Sequence, residues 1–225
     1  TEYLTNNGIE CIGYDTGFFK SGLLYSAPFT QTIARDARDI VESDLKNIDV
    51  VLHLAGISND PMGKLDAGRI YDPTRVYAFG IAKMCKKLGV RFIFASSQMS
   101  NMTYSPYGIL KALGEVYTKS LNGIVVKFWN VYGVERDLNK SHVITDFILM
   151  AKDSKEIKML TDGTEQRQFL HANDCCNCLD ILSKKYDEIN RDLELHVTNF
   201  EWTSILQIAN IIASYFPGTK LFPSS

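Results

Sequence analysis

No apolar run in these 225 residues approaches the ~20 needed for a membrane-spanning helix, and no signal peptide is visible. The expectation is a soluble cytoplasmic protein without membrane partners. Charge of neither sign dominates. The net charge is −2, which leaves no global electrostatic case for nucleic acid or for an acidic membrane surface. Cysteine is sparse and odd in number, with five: Cys11, Cys85, Cys175, Cys176 and Cys178. They form neither a zinc spacing nor an even disulfide framework. No metal site is expected, and the 175–178 cluster reads as reduced, small apolar residues on a helix. Internal repeats and low-complexity tracts are also missing. What remains is an ordinary globular composition, 45% hydrophobic and 22% charged, enough for a substantial core in one large domain or one and a half.

One stretch organises the rest: Ser105-Pro106-Tyr107-Gly108-Ile109-Leu110-Lys111. Ser105 can cap a helix and Pro106 suits its first turn. Tyr107 and Lys111 are four apart, so they share a helical face. A free tyrosine, with a pKa of about 10, is a poor acid or base at neutral pH. A cation close by favours the phenolate. With 11 Tyr in the chain, chance alone supplies such a pair about once, so its surroundings must carry the case.

Residues 1–7 read as the end of a helix stopped by Gly8, followed by a strand over 9–15 that ends in Asp15. That is the second half of a βαβ dinucleotide-binding unit, in which the acid holds the adenosine ribose and favours NAD over NADP. The first half, a strand and a glycine-rich turn, would lie ahead of Thr1. The expectation is that it has been omitted there. A loop with Gly17, Gly22 and Pro28 leads to a weak strand near 29–33, and a helix is expected at 39–46. Residues 48–54 form a continuous apolar run typical of a buried parallel strand, with His53 packed inside it. It ends in Ala55-Gly56-Ile57-Ser58, small residues that let a ligand approach the backbone. A helix from Pro73 to about Leu88, a strand at 90–95 ending in Ser96-Ser97, the Tyr107 helix and a strand at 123–129 follow. Strands alternating with helices predict an α/β fold with a doubly wound parallel sheet. Ser96, Ser97, Tyr107, Lys111 and Asn130 then fall at the ligand-binding edge. Beyond Gly133 the rhythm changes. A helix is expected at about 142–152, a strand at 157–160, a short strand at 165–171, a helix capped by Asn173 or Asp174 to about Lys184, a strand at 194–198 and a helix at 203–215. No further element is expected at the end.

These residues resemble an extended short-chain dehydrogenase/reductase of the nucleotide-sugar epimerase/dehydratase group. Cys11-Ile12-Gly13-Tyr14-Asp15 resembles the strand with the ribose-binding acid. Arg35-Asp36-Ala37-Arg38-Asp39 resembles the stretch that contacts adenine, and His53-Leu54-Ala55-Gly56 the loop under the cofactor. Phe92-Ile93-Phe94-Ala95-Ser96-Ser97 resembles the strand ending in the catalytic serine, and Tyr107-x-x-x-Lys111 the catalytic pair. Asn130-Val131-Tyr132-Gly133 and Gly163-x-x-x-Arg167-x-Phe169-x-His171-x-x-Asp174 resemble stretches around the sugar-nucleotide site. The matches fall in the family's order and cover most of the chain.

The resemblance implies a Rossmann-type NAD-binding domain over 1–133 plus about 165–184, and a smaller α/β substrate-binding domain over 134–164 and 185–225. It implies NAD as cofactor, held by Asp15, Asp36, Ala37, Leu54, Ala55, Gly56, Ala95, Ser96, Tyr107 and Lys111. It implies Ser97, Tyr107 and Lys111 as catalytic residues, with Ser97, Asn130 and Arg167 on a nucleoside-diphosphate sugar and a homodimer by analogy. Two departures matter. Ser97 and Tyr107 are only ten apart where the family has a longer loop, and the expectation is that loop residues, like both chain ends, are missing from this sequence. The 4,6-dehydratases carry an Asp-Glu pair after the catalytic Ser/Thr. Gln98 and Met99 stand there instead, and an amide and a thioether cannot serve as general acid and base. The reading is therefore an epimerase working through a transient keto sugar. The alternatives are a net NAD(P)H-dependent reductase or dehydrogenase and, outside enzymes, a catalytically inactive binding subunit.

Overall fold

Glu2–Asn6 (α1) ends where Gly8 takes a φ of +79°, a left-handed conformation that glycine adopts without strain, in the computed structural model of the chain. The structure describes residues 2–16, 32–56, 67–102, 104–135 and 141–224. The expected loop through Gly17, Gly22 and Pro28 and the Ile57-Ser58 end of the small-residue stretch lie outside them. Gly13–Asp15 (β1) pairs in parallel with Thr32–Ala34 (β2), so Asp15 and the Arg35-Asp36 segment leave the same end of that pair. Val50–His53 (β3), Ala67–Leu88 (α2), Arg91–Ser97 (β4), Pro106–Ser120 (α3) and Ile124–Phe128 (β5) follow, in the expected strand-helix alternation. Then come Asn130–Tyr132 (β6), Val143–Asp153 (α4), Glu156–Lys158 (β7), Gln166–Arg167 (β8), Phe169–His171 (β9), Ala172–Lys184 (α5), Leu195–Val197 (β10), Thr203–Ser204 (β11), Ile205–Tyr215 (α6) and Lys220–Phe222 (β12).

The described chain divides into two units. The first holds α1 to α3, β1 to β5, most of α5 and β10. Its four-stranded sheet runs β10-β5-β4-β3, every neighbour parallel. Alternation along β4 shows how both faces are buried. Phe92 and Phe94 pack with Ala78, Ile81, Ala82 and Cys85 of α2, and Ile93 with Leu179 and Leu182 of α5. A parallel strand covered on both sides reads as an unbroken apolar run, which is what β3, β4 and β5 show in sequence. Residues 185–197 belong to this unit and 165–171 to the second.

The second unit holds β6 to β9, α4, β11, α6 and β12. Its core is Phe147, Ala151, Ile157, Met159, Phe169, Ile205, Ala209 and Ile212. β12, not expected from the sequence, pairs in parallel with β7, and β6 with β9.

Three local expectations are corrected. The helix expected at 39–46 is two short 3-10 turns, Ala37–Asp39 and Glu42–Leu45, separated by extended Ile40 and Val41. Asp36 caps the first by accepting from the Arg38 N–H at 2.8 Å, and Asp44 accepts from the Val41 N–H at 2.8 Å. Such short acids compete for the backbone donors that a helix would need. α2 begins at Ala67, ahead of Pro73. α5 begins at Ala172, and the Asn173 N–H is held by His171 Nδ1 at 3.2 Å rather than by a cap at 173 or 174.

Close approach of α3 to β4 is enforced at Gly114, where an added Cβ would lie 2.8 Å from Phe94 Cε1. Phe94 is among the largest fully buried side chains and has nowhere to retreat. Overpacking a filled core costs about 1–3 kcal/mol, against roughly 1 kcal/mol that Ala gains over Gly inside a helix. Gly114→Ala is therefore expected to lower the midpoint of urea unfolding; an unchanged or higher midpoint would show that α3 can shift away from the sheet.

Candidate active site

The Tyr107 helix starts as its sequence dictates. Ser105 Oγ accepts from the Gly108 N–H at 3.2 Å and Pro106 takes the first turn. Gly108 fits tightly against the 98–102 backbone, where a Cβ would come within 2.6 Å of the Met102 carbonyl oxygen. A 3-10 turn at Gln98–Asn101 and a second turn, Ser105 N–H to Met102 O at 3.2 Å, thus fold the connection from β4 back onto the head of α3.

Lys111 is the centre of the site. It is only 6% exposed, and its Nζ donates to the Ala95 carbonyl oxygen of β4 at 2.6 Å. It lies 5.6 Å from the Tyr107 ring centroid and 5.1 Å from that of Phe94. Burial pushes its ammonium down to about 8, against the opposing attraction of Glu115. Gly56, just past β3, belongs to the same neighbourhood, since among the described residues a Cβ there would meet Lys111 Nζ at 3.8 Å and nothing closer. Leu54 and Ala55 precede it along the same exit. His53 is buried beside Phe92 and Phe94, with ring centroids at 5.7 and 5.9 Å. Burial, and next the Lys111 charge, push its imidazole down to about 4, so it is neutral at physiological pH.

The two serines at the end of β4 diverge, as consecutive residues of a strand must. Ser97 Oγ accepts from the Met99 N–H at 3.2 Å and can still donate its own O–H. Ser96 is buried and donates to Glu115 Oε1. Glu115 sits one helical turn beyond Lys111 and also pairs with the buried Lys127 of β5, Oε2 to Nζ at 3.3 Å. Neither Glu115 nor Lys127 was foreseen; the available signal was that Glu115 continues the Tyr107–Lys111 face at the next i+4 position.

Asp15 is exposed at the end of β1. Asp36 caps its own turn and forms an ion pair with Arg38 at 2.6 Å, whose hydrogen bond holds its carboxyl below the ordinary range. Ala37 follows in that turn and packs against the core under α2. In the second unit, Asn130 on β6 donates its amide to the Gln168 carbonyl oxygen at 2.9 Å. Arg167 is exposed on β8, and its guanidinium donates to the Gln166 carbonyl oxygen at 2.8 Å. The first unit therefore brings Tyr107, Gly56 and Ala95 together around Lys111, with Ser97 two residues beyond Ala95 on β4, while Asn130 and Arg167 belong to the other unit. Among the described residues, no cluster of His, Cys, Asp or Glu could hold a metal ion, and no helix is long and apolar enough to cross a membrane.

Residues 1–195 match the sequence model of the NAD dependent epimerase/dehydratase family. A dTDP-4-dehydro-6-deoxy-D-allose reductase from a Streptomyces species is 23% identical over 206 residues, covering 79% of this chain and 62% of its own. The chain thus spans about three-fifths of the length of that relative. The NAD dependent NDP-hexosamine 5,6-dehydratase TunA superposes with a TM-score of 0.85 at 16% identity, covering 100% of this chain and 79% of its own. The UDP-glucuronic acid 4-epimerase of Bacillus cereus, solved with UDP-glucuronic acid and NAD, superposes with a TM-score of 0.77 at 23% identity, covering 99% and 81%. At such identities the structures show a common fold.

The folded value of Lys111 lies below its unfolded one of 10.5. Folding thus disfavours the charged ammonium at neutral pH, and the penalty fades as pH rises from about 8 to about 10.5. Lys111→Met removes it and is expected to raise the free energy of unfolding at pH 7, by at most ~3 kcal/mol, with the gain gone near pH 10.5. Urea titrations at both pH values check this; destabilisation at pH 7 would mean that the bond to Ala95 outweighs the buried charge.

Proposed function

The chain belongs to the NAD dependent epimerase/dehydratase family, and from that premise we propose that it is an NAD-dependent epimerase acting on a nucleoside-diphosphate sugar through a transient keto sugar. The observation that carries the reading is the buried Lys111, anchored on Ala95 O and set beside the Tyr107 ring.

The residues present suit NAD. Gly56 leaves backbone open beside the Lys111 ammonium. That ammonium has three protons, of which one goes to Ala95, so a ribose hydroxyl can accept another. In this reading Asp15 holds the adenosine ribose, Asp36 and Ala37 border adenine, Leu54, Ala55 and Gly56 line the cofactor's underside, and Ala95, Ser96, Tyr107 and Lys111 border its nicotinamide half. NAD, when bound, supplies reversible hydride transfer.

Tyr107 acts as the base, its phenolate taking the proton from a sugar hydroxyl, at C4 in this reading. The Lys111 cation favours that phenolate, because opposite charge nearby stabilises the ionised form. Ser97 donates its O–H to the same sugar oxygen and relays the proton. On return Tyr107 gives the proton back, and a keto sugar that has turned over emerges as the epimer. Arg167 is assigned to the substrate diphosphate, for which the guanidinium fork is suited, and Asn130 to the sugar-nucleotide. Gln98 and Met99 provide no acid-base pair for 4,6-elimination, which favours epimerisation or reduction. Leu113 and Val116, exposed on α3, are where a homodimer through this helix would form.

Tyr107→Phe is expected to lower kcat by about 10²–10⁴-fold and to leave nucleotide-sugar affinity, by calorimetry, within a few-fold. Undiminished turnover would end the proposal. The second reading, a net reductase, is favoured by the Streptomyces relative matched over 79% of the chain. Absorbance at 340 nm separates the two. An epimerase interconverts sugars without net change in NADH, whereas a reductase consumes NAD(P)H one for one with product.

A further inference from the structure

The first unit buries a second lysine that the proposed chemistry does not use. Lys127 is 2% exposed, at the point where β5 pairs with Ser96 of β4. A buried cation is costly unless each proton finds an acceptor. Its three acceptors are Glu115 Oε2 at 3.3 Å, Asn101 Oδ1 at 3.1 Å and Glu194 Oε1 at 2.9 Å. Glu194 Oε2 in turn meets His196 Nε2 at 3.1 Å, and the Trp129 indole donates to His196 Nδ1 at 3.0 Å. Indole can only donate, so His196 Nδ1 is the acceptor of that bond and Nε2 faces Glu194. The other Glu115 oxygen accepts from Ser96. Consecutive residues of β4 are therefore gripped by consecutive turns of α3: Ala95 by Lys111 and Ser96 by Glu115.

We propose that Glu115 is a positioning residue for the Tyr107–Lys111 pair, its carboxylate fixing α3 against β4 and β5 while its charge keeps Lys111 protonated. Among the described residues, the groups that face Lys111 are few. On its own helix Tyr107 and Glu115 lie one turn to either side, β3 contributes neutral His53, and β4 contributes the Ala95 carbonyl and the Phe94 ring. Lys127 of β5 reaches it only through Glu115. Of these described groups, Glu115 is the one anion, and it opposes the effect of burial on Lys111. Burial alone would drive Lys111 towards the neutral amine, which can no longer stabilise a phenolate. The inference rests on Lys111 serving Tyr107, as in the function proposed above.

The test separates charge from scaffolding by sign. In protein labelled with ¹³Cε-lysine, the Lys111 resonance is assigned by its loss in Lys111→Arg, and its titration midpoint is read directly by NMR without cofactor or substrate. Glu115→Gln is expected to lower that midpoint by about one pH unit, with Glu115→Asp returning it towards wild type. The alkaline limb of kcat against pH should move down with it. A merely structural loosening would hydrate Lys111 and move the midpoint up. Should Glu115→Gln leave Lys127 too poorly paired to fold, the Glu115→Gln, Lys127→Met double variant removes both charges and is expected to lower the midpoint as well. A midpoint that is unchanged or raised in the folded variants overturns the role of Glu115. Because the titration needs no turnover, it stands apart from Tyr107→Phe, whose retained activity would instead overturn the function.

Discussion

The buried ammonium of Lys111 sets the terms for the first unit. Lys111 gives a proton to the Ala95 carbonyl and lies close to the faces of Tyr107 and Phe94. A charge at 6% exposure is tolerated only where compensation is built around it. That compensation explains features that otherwise look unrelated. Glycine at 114 lets α3 approach the sheet, glycine at 108 lets the short connection from β4 lie against the helix head, and Glu115 places an anion one turn away. The bulk of the core, Phe92 and Phe94 against α2 and Ile93 against α5, packs around this arrangement.

The two serines that close β4 show how one strand serves two purposes. A pleated strand sends neighbouring side chains to opposite sides. Ser96 is thereby committed to Glu115 and the buried Lys127, while Ser97 turns over the 3-10 turn that leads towards Tyr107. The polar chain from Ser96 through Glu115, Lys127 and Glu194 to His196 and Trp129 is well satisfied at each step. Buried polar networks of this kind specify one packing when complete and are destabilising when broken.

Much of the first unit was legible because its signals are local or periodic. Apolar runs at β3, β4 and β5 follow from burial on both faces, and Ser105-Pro106 announces the start of α3 through its own capping bond. The family motifs were readable for the same reason, since their residues lie at strand ends where a parallel sheet gathers them. What escaped was set by distant partners or by local side-chain competition for backbone donors. β12 has no strong strand pattern and forms because β7 offers it a parallel edge. The expected helix at 39–46 gave way to two turns because Asp36 and Asp44 capture nearby N–H groups. Lys127 was not singled out within the strand expected at 123–129, although it is among the most buried polar residues.

The sequence by itself determined the family, the α/β alternation and the identity of Ser97, Tyr107 and Lys111 as candidates, because spacing along helices and strands decides which side chains share a face. It also carried Gln98 and Met99, whose chemistry needs no coordinates to interpret. Only the tertiary structure decided that Lys111 is buried and bonded to Ala95, that Ser96 turns away from Ser97 to meet Glu115, and that Lys127 is neutralised by Glu115 and Glu194. Those facts join residues from 12 to 67 positions apart. Whether a charge is solvated or desolvated depends on what the rest of the chain packs around it, and no local pattern encodes that.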